Sequence, residues 1–203
     1  KTKQNKFESA ITSVTTTVRL SNHETFFDPN SPQSKALHWM IEEDPRALPL
    51  PSSESDPFVQ RYAIAVMVFA LTTANTNTNS TQTNTRQTFG LLSGSHECEW
   101  NLEMFESESD KRERVEIGIL CEDKDLSDMS VTGVFFRNAG LQGELPLELG
   151  ILHRLRIFDM ADNAILGTIP PMPQLRTLNL ARNELTGSLP EHFSGMTYLT
   201  SLN

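Results

Sequence analysis

The chain has no long hydrophobic segment: its longest apolar run, Tyr62 to Leu71, is ten residues, and a bilayer-spanning helix needs roughly twenty. Basic residues are outnumbered, with Lys plus Arg 17 against Asp plus Glu 26 and a net charge of −9. No stretch gathers enough of them to displace counterions from a phosphate backbone, so nucleic acid is not an expected partner. Cysteine is limited to Cys98 and Cys121, which allows one bridge and by itself indicates no compartment. The signatures Gly-x-Ser-x-Gly, Walker loop, His-Glu-x-x-His and Gly-x-Gly-x-x-Gly are all missing. Neither an enzymatic activity nor a cofactor is therefore expected. The 203 residues, 37% of them hydrophobic, have room for one or two domains with a modest core and polar segments to spare.

What the chain does hold is an internal repeat in its C-terminal third. Leu141-x-Gly143-x-Leu145-Pro146 recurs as Ile165-x-Gly167-x-Ile169-Pro170 and as Leu185-x-Gly187-x-Leu189-Pro190. Extending each backwards adds Val131-x-x-Val134-x-Phe136, Leu155-x-x-Phe158-x-Met160-x-x-Asn163 and Leu175-x-x-Leu178-x-Leu180-x-x-Asn183; a fourth begins at Leu199-x-x-Leu202. Equivalent positions are 24 residues apart (131 to 155), then 20 (155 to 175), then 24 (175 to 199), within the roughly 20 to 29 residues of a leucine-rich repeat. The middle turn is short, with Pro170-Pro171-Met172-Pro173 standing where the first repeat has Glu148, Leu149 and Gly150.

Each position type has a physical reason. The apolar residues alternate with period two, so one side of a short strand faces a core and the other faces solvent, and strands of successive turns stack in parallel. Past the strand the chain bends away and leaves backbone groups unpaired. An Asn side chain, with two donors and an acceptor, satisfies them, and Asn163 and Asn183 hold this structural ladder position. The first repeat has Ala139 there, with Asn138 one residue early, which predicts a less satisfied turn. Gly143, Gly167 and Gly187 suit a tight bend or a close backbone approach, and the Pro that ends each motif has no N–H to continue pairing.

Upstream, Ser31-Pro32 followed by Ala36, Leu37, Met40 and Ile41 predicts a capped amphipathic helix ended by Asp44-Pro45. Asp56-Pro57 opens a second helix, from about Phe58 to Thr72, expected to lie over the N-terminal end of the repeats as a buried lid. Pro45 to Ser55 has a linker composition, and Asn75 to Thr88 is almost all Thr, Asn and Gln and is expected to be flexible. Glu103 to Glu116 is a mixed-charge stretch suited to a solvated loop. Val115, Ile117 and Ile119 then alternate into Cys121 as a strand. Both ends of the chain, Lys1 and Asn203, read as cut, with any signal peptide or anchor outside it.

These features resemble the plant-type leucine-rich repeat, and Cys98-x-Trp100 followed by Cys121 resembles the cysteine pair of the cap that precedes such repeats in plant extracellular receptors. Here about twenty residues separate Trp100 from Cys121, where the plant cap has a few. A closer resemblance is to the leucine-rich-repeat proteins of diatoms. It is carried by Phe27-Asp28-Pro29, Ser31-Pro32-Gln33, Ala36-Leu37-x-Trp39, Gln60-Arg61-Tyr62-Ala63, Phe69-Ala70 and His96-Glu97-Cys98-x-Trp100, and it covers about residues 24 to 203. The resemblance implies an α/β fold: a right-handed leucine-rich-repeat solenoid with a parallel sheet on one face and a helical N-terminal cap. On this reading 1–30 is a flexible segment, 31–130 the cap with its polar insertion, and 131–203 the repeats. It also implies a disulfide between Cys98 and Cys121, and a location outside the membrane, tethered by a missing N-terminal membrane segment.

Three further patterns compete with these readings. His96, Cys98 and Cys121 can supply three zinc ligands, but a structural site needs four and nothing nearby offers the last; two free thiols are the third alternative. No metal is expected. Asp123-x-Asp125-x-Ser127 opens like a calcium loop, yet Asp128 stands where that loop needs Gly and Val134 where it needs Glu. Asn79-Ser80-Thr81 is the one glycosylation sequon.

The outward strand positions form three columns: Gly133, Ile157, Thr177; Phe135, Asp159, Asn179; and Arg137, Ala161, Ala181. This mixed surface suits a protein, peptide or glycan. Phe135, Arg137, Asp159, Asn179 and Arg182 are the expected contact residues, with Phe135 as apolar anchor. The expected function is extracellular ligand recognition without catalysis, as part of a membrane-tethered receptor-like protein; the rival readings are a structural or adhesive cell-surface protein, the sensor part of a longer receptor, or an enzyme inhibitor.

Overall fold

The computed structural model describes residues 28–51, 57–72, 90–100, 117–122, 129–187, 193 and 197–203. Asn79, the calcium-like segment from Asp123 to Ser127, Val115 and Phe27 lie outside the described residues.

Helix α1 (Pro32–His38) starts as its sequence predicts. Ser31 Oγ accepts from the Ser34 amide at 3.0 Å, and Pro32 occupies a first-turn position where no N–H is needed. The helix continues as a π-helix, Trp39–Glu43, and the Asp44 N–H donates to the Trp39 carbonyl at 2.8 Å. Pro45 then disfavours helix at Asp44, which is extended with φ −70° and ψ 112°. Helix α2 (Pro57–Leu71) is buried on nearly every side, as an apolar run without a polar stripe must be. It packs on α1, on strands β2 (Ser130–Phe135) and β3 (Gln142–Glu144), and on a 3-10 helix at Leu147–Ile151.

Strand β1 (Gly118–Glu122) pairs antiparallel with β2, with a bulge between Leu120 and Cys121. From β2 onward the sheet is parallel: β4 (Ile157–Asp159), β6 (Thr177–Asn179) and β7 (Ser201–Leu202) follow in order. Gly133, Ile157, Thr177 and Ser201 stand side by side, so the register reproduces the 24-, 20- and 24-residue spacing of the repeats (133 to 157, 157 to 177, 177 to 201). β3 and β5 (Ala164–Leu166) form a separate two-stranded parallel sheet. Val134, Phe158 and Leu178, aligned across β2, β4 and β6, join Phe136, Met160, Ile165 and Leu175 in the core.

The expected shortfall at Ala139 does not occur, because each ladder Asn serves the turn before it as well as its own. Asn163 Oδ1 accepts from the amides of Ala139 (3.1 Å) and Leu141 (3.0 Å), while its Nδ2 donates to the carbonyls of Phe136 (2.7 Å) and Met160 (2.8 Å). Asn183 likewise accepts from Ile165 and donates to Met160 and Leu180. The turn at Ala139 is completed by the Asn of the following repeat. In the second repeat the Pro-rich turn replaces the 3-10 helix of the first and still buries Met172.

A buried polar junction ties the helices to β2. Arg61, fully buried on α2, uses all five guanidinium N–H groups: two on Asp44 (2.7 and 2.8 Å), one on Glu97 (3.0 Å), and one each on the Ser93 and Ser95 carbonyls (3.1 and 3.0 Å). Trp39 and Trp100 flank it, with their rings 5.0 and 4.8 Å from the guanidinium carbon. Its neighbour Gln60 donates to Glu97 and to the Met129 carbonyl and accepts from the Val131 amide at 2.7 Å, the entry to β2. A second buried link joins Gln33 of α1 to both carboxylate oxygens of Glu148, each at 3.2 Å.

Cys98 and Cys121 are bonded, with Cα atoms 5.6 Å apart. This removes the zinc and free-thiol alternatives and fastens the 3-10 turn Glu97–Glu99 to β1. His96 caps that turn, its Nδ1 accepting from the Cys98 amide at 3.2 Å. Burial, helped by Arg46 and Arg61, holds its pKa below the ordinary histidine value despite the opposing pull of Glu97.

Candidate functional site

The outward positions of the sheet do not all project into solvent. Gly133 offers no side chain, and the ring of Phe135 lies over it: a Cβ at Gly133 would sit 2.6 Å from Phe135 Cε2. The expected apolar anchor is therefore half-buried and laid along the strand. Leu120 of β1 borders the same spot, 3.1 Å from that Cβ position, and is itself 44% exposed.

Asp159 is the polar centre of the face. Its Oδ2 accepts from Arg137 at 3.2 Å and from Asn179 at 3.0 Å, and its Oδ1 from the Ala161 amide at 3.1 Å. Parallel pairing aligns Phe135, Asp159 and Asn179 on adjacent strands, which brings the short Asp and Asn side chains within reach of one another. Asn179 Oδ1 also accepts from the Ala181 amide at 3.3 Å, so this residue is folded onto its own turn and is only 8% exposed. Ala161, in the third column, is fully buried. These two positions are exceptions to the outward-facing pattern, for the reason that the chain is already bending into the Asn turn there.

Arg182 stands apart from this group. It binds Asp162 in the previous repeat through both Nε and Nη2. That hydrogen bond lowers the Asp162 pKa and raises that of Arg182. Asn138, Asp162 and Arg182 occupy one column at the turns, with φ of 51°, 62° and 54°. A backbone that favours Gly or Asn thus holds an arginine at its third occurrence.

Sequence reasoning missed the contribution of β1. Leu120, opposite Gly133, and Glu122, bound to Arg156 at 2.6 Å, extend the face across the antiparallel strand. The Ile117/Ile119 alternation was the available signal, since it turns Leu120 outward. Chemically the face offers one apolar area flanked by two internally neutralised pairs, Glu122–Arg156 and Arg137–Asp159. It is suited to non-covalent recognition. Among the described residues no group of His, Cys, Asp and Glu is arranged to hold a metal ion.

The parallel ladder and its 20- and 24-residue register have the spacing of a leucine-rich repeat. Residues 174–196 match the family described as Leucine Rich Repeat. Over 88 residues, 42% of the chain, the sequence is 33% identical to Protein STRUBBELIG-RECEPTOR FAMILY 3 of Arabidopsis thaliana, 11% of whose length is covered. Over 57 residues, 26% of the chain, it is 39% identical to Receptor-like protein 41 of the same plant, covering 6% of that protein. The chain thus spans only a small part of these relatives. The leucine-rich-repeat ectodomain of the receptor kinase SOBIR1 from Arabidopsis thaliana aligns with a TM-score of 0.39 and 24% identity, over 42% of this chain and 51% of that one.

Proposed function

We propose that the chain is an extracellular ligand-recognition module of a receptor-like protein, which binds a protein, peptide or glycan non-covalently through the outward face of its parallel sheet. In this reading residues 131–203 are the first turns of a right-handed plant-type solenoid, and 31–130 form its helical cap. The diatom resemblance belongs to the same reading, as does a membrane tether outside these residues. The observation that carries it is the half-buried network centred on Asp159, which holds Arg137 and Asn179 in fixed positions beside Phe135. Groups already oriented lose little freedom when a ligand arrives. Two relatives whose names describe receptors add support.

The test presents a random-peptide display library and a glycan array to the chain and to its Phe135→Ala/Asp159→Ala variant. Ligands kept by the wild type and lost by the variant, at a temperature where circular dichroism shows both to be folded, are the expected result. Ligands that bind both equally would move recognition off this face.

A further inference from the structure

Resting on that reading of the sheet face, we infer that the ligand is an extended peptide segment that places a bulky apolar side chain against Leu120, Phe135 and Ile157 and an acidic side chain at Arg176.

The apolar area is contiguous across three strands. Leu120, Gly133 and Ile157 stand opposite one another on β1, β2 and β4, and the Phe135 ring fills the space that Gly133 leaves. Leu120 is 44% exposed although most of the large apolar side chains among the described residues are buried. An exposed apolar spot between ion pairs has the form of an interface centre with a polar rim.

Charge selects the acidic group. Along the entry side of the strands, Arg156 and Arg176 occupy equivalent positions of consecutive repeats, with the Arg176 N–H donating to the Arg156 carbonyl at 2.7 Å. Glu122 neutralises Arg156 at 2.6 Å. Arg137 and Arg182 are likewise matched by Asp159 and Asp162. Arg176 is exposed and makes no ion pair among the described residues. The row Glu122, Arg156, Arg176 therefore carries one surplus positive charge on a chain whose net charge is −9. The overall field repels acidic ligands, so a preference for an acidic one has to arise locally.

Spacing fixes the pattern. From Ile157 to Arg176 is one strand across, about 4.8 Å, and one residue back, about 3.3 Å. Allowing for side-chain length, an extended peptide crossing the strands covers this in two or three residues.

The test takes peptides enriched from a random linear display library on the wild-type chain and measures their dissociation constants against Leu120→Ser, Arg176→Glu and Phe135→Ala/Asp159→Ala variants. Both of the first two residues are exposed, and unchanged melting temperatures would show that the variants fold. The expected peptides carry Leu, Ile, Phe or Met with Asp or Glu two or three residues away. They bind Leu120→Ser and Arg176→Glu about tenfold more weakly, a loss of the size typical of an interface anchor. Replacing the peptide's acidic residue by Lys restores binding to Arg176→Glu. Peptides that lose affinity for Phe135→Ala/Asp159→Ala but not for Leu120→Ser or Arg176→Glu overturn this inference and leave the recognition face standing. Enrichment of basic peptides, or none at all, overturns the inference, and peptides indifferent to every variant overturn the face as well.

Discussion

Replacing Arg61 by Met tests whether the helices and the first repeat are held together by the buried ionic junction. The substitution removes five hydrogen bonds from a side chain with no solvent exposure. Among the described residues it leaves the Asp44 carboxylate with the Arg46 amide at 3.2 Å as its hydrogen-bond donor, and Glu97 with Gln60 and Arg46. Breaking a buried pair from one side costs about 3–5 kcal/mol, because the remaining charge has lost both water and its partner. Domains are stable by about 5–15 kcal/mol in total, so the variant should be close to unfolding. At about 2–4 °C per kcal/mol for a chain of this size, the melting temperature should fall by about 6–20 °C. If unpaired carboxylates are the cause, adding Asp44→Asn and Glu97→Gln to Arg61→Met should recover part of the loss; if lost packing is the cause, it should not. Urea unfolding followed by intrinsic fluorescence suits the question, since Trp39 and Trp100, the chain's 2 tryptophans, both lie on the Arg61 guanidinium. A stability of Arg61→Met within about 1 kcal/mol of wild type would refute the reasoning, because that is the cost of an ordinary substitution.

Gly143→Ala should cost about 2–3 kcal/mol, because φ there is +122° and a Cβ would fall within 3.0 Å of the Ala70 carbonyl oxygen; an unchanged urea midpoint would show that α2 does not press on β3. Asn163→Ala strips the partners of Ala139, Leu141, Phe136 and Met160 at once and should cost about 3 kcal/mol, at roughly 1 kcal/mol per bond with partial compensation by water. Equal stability of this variant and wild type by thermal melting would rule out the shared ladder. For His96 the folded pKa is depressed, so the unfolded chain binds more protons as pH falls below about 6.5, and stability present at neutral pH is lost on acidification. Wild type should therefore lose more stability between pH 7.5 and pH 5, roughly the span of histidine titration, than His96→Asn does; identical slopes would exclude the effect.

Most of the fold was legible because repeats state their own geometry. Three Leu/Ile-x-Gly-x-Leu/Ile-Pro motifs, 24 and then 20 residues apart, predict both the strands and their parallel register, and the register found, Gly133 beside Ile157 beside Thr177, is the sequence spacing itself. The helices were legible from caps and breakers, with Ser31-Pro32 at one end and Asp44-Pro45 at the other. The π-helix Trp39–Glu43 was not, since a widened turn leaves no periodicity that a five-residue segment can show. Nor was the Arg61 junction. Its members come from positions 44, 61, 93, 95 and 97, which no local pattern of caps, breakers or periodicity links to one another.

The face was legible as a direction and not as a set of free side chains. Period two separates outward from inward, and on that basis Phe135, Asp159 and Asn179 share a row. It does not say that side chains in one row of a parallel ladder stand about 4.8 Å apart and bond to one another first. Asp159 holds Arg137 and Asn179, Asp162 holds Arg182, and Phe135 fills the space over Gly133. On the proposed reading a ligand would meet a surface whose polar groups are largely paired. What distinguishes one part of it from another is, among the described residues, an arginine of the strand-entry row that makes no ion pair, Arg176, and an uncovered apolar side chain, Leu120. Neither stands out in the repeat pattern. Arg176 looks like any variable position, and Leu120 belongs to an antiparallel strand that no repeat encodes.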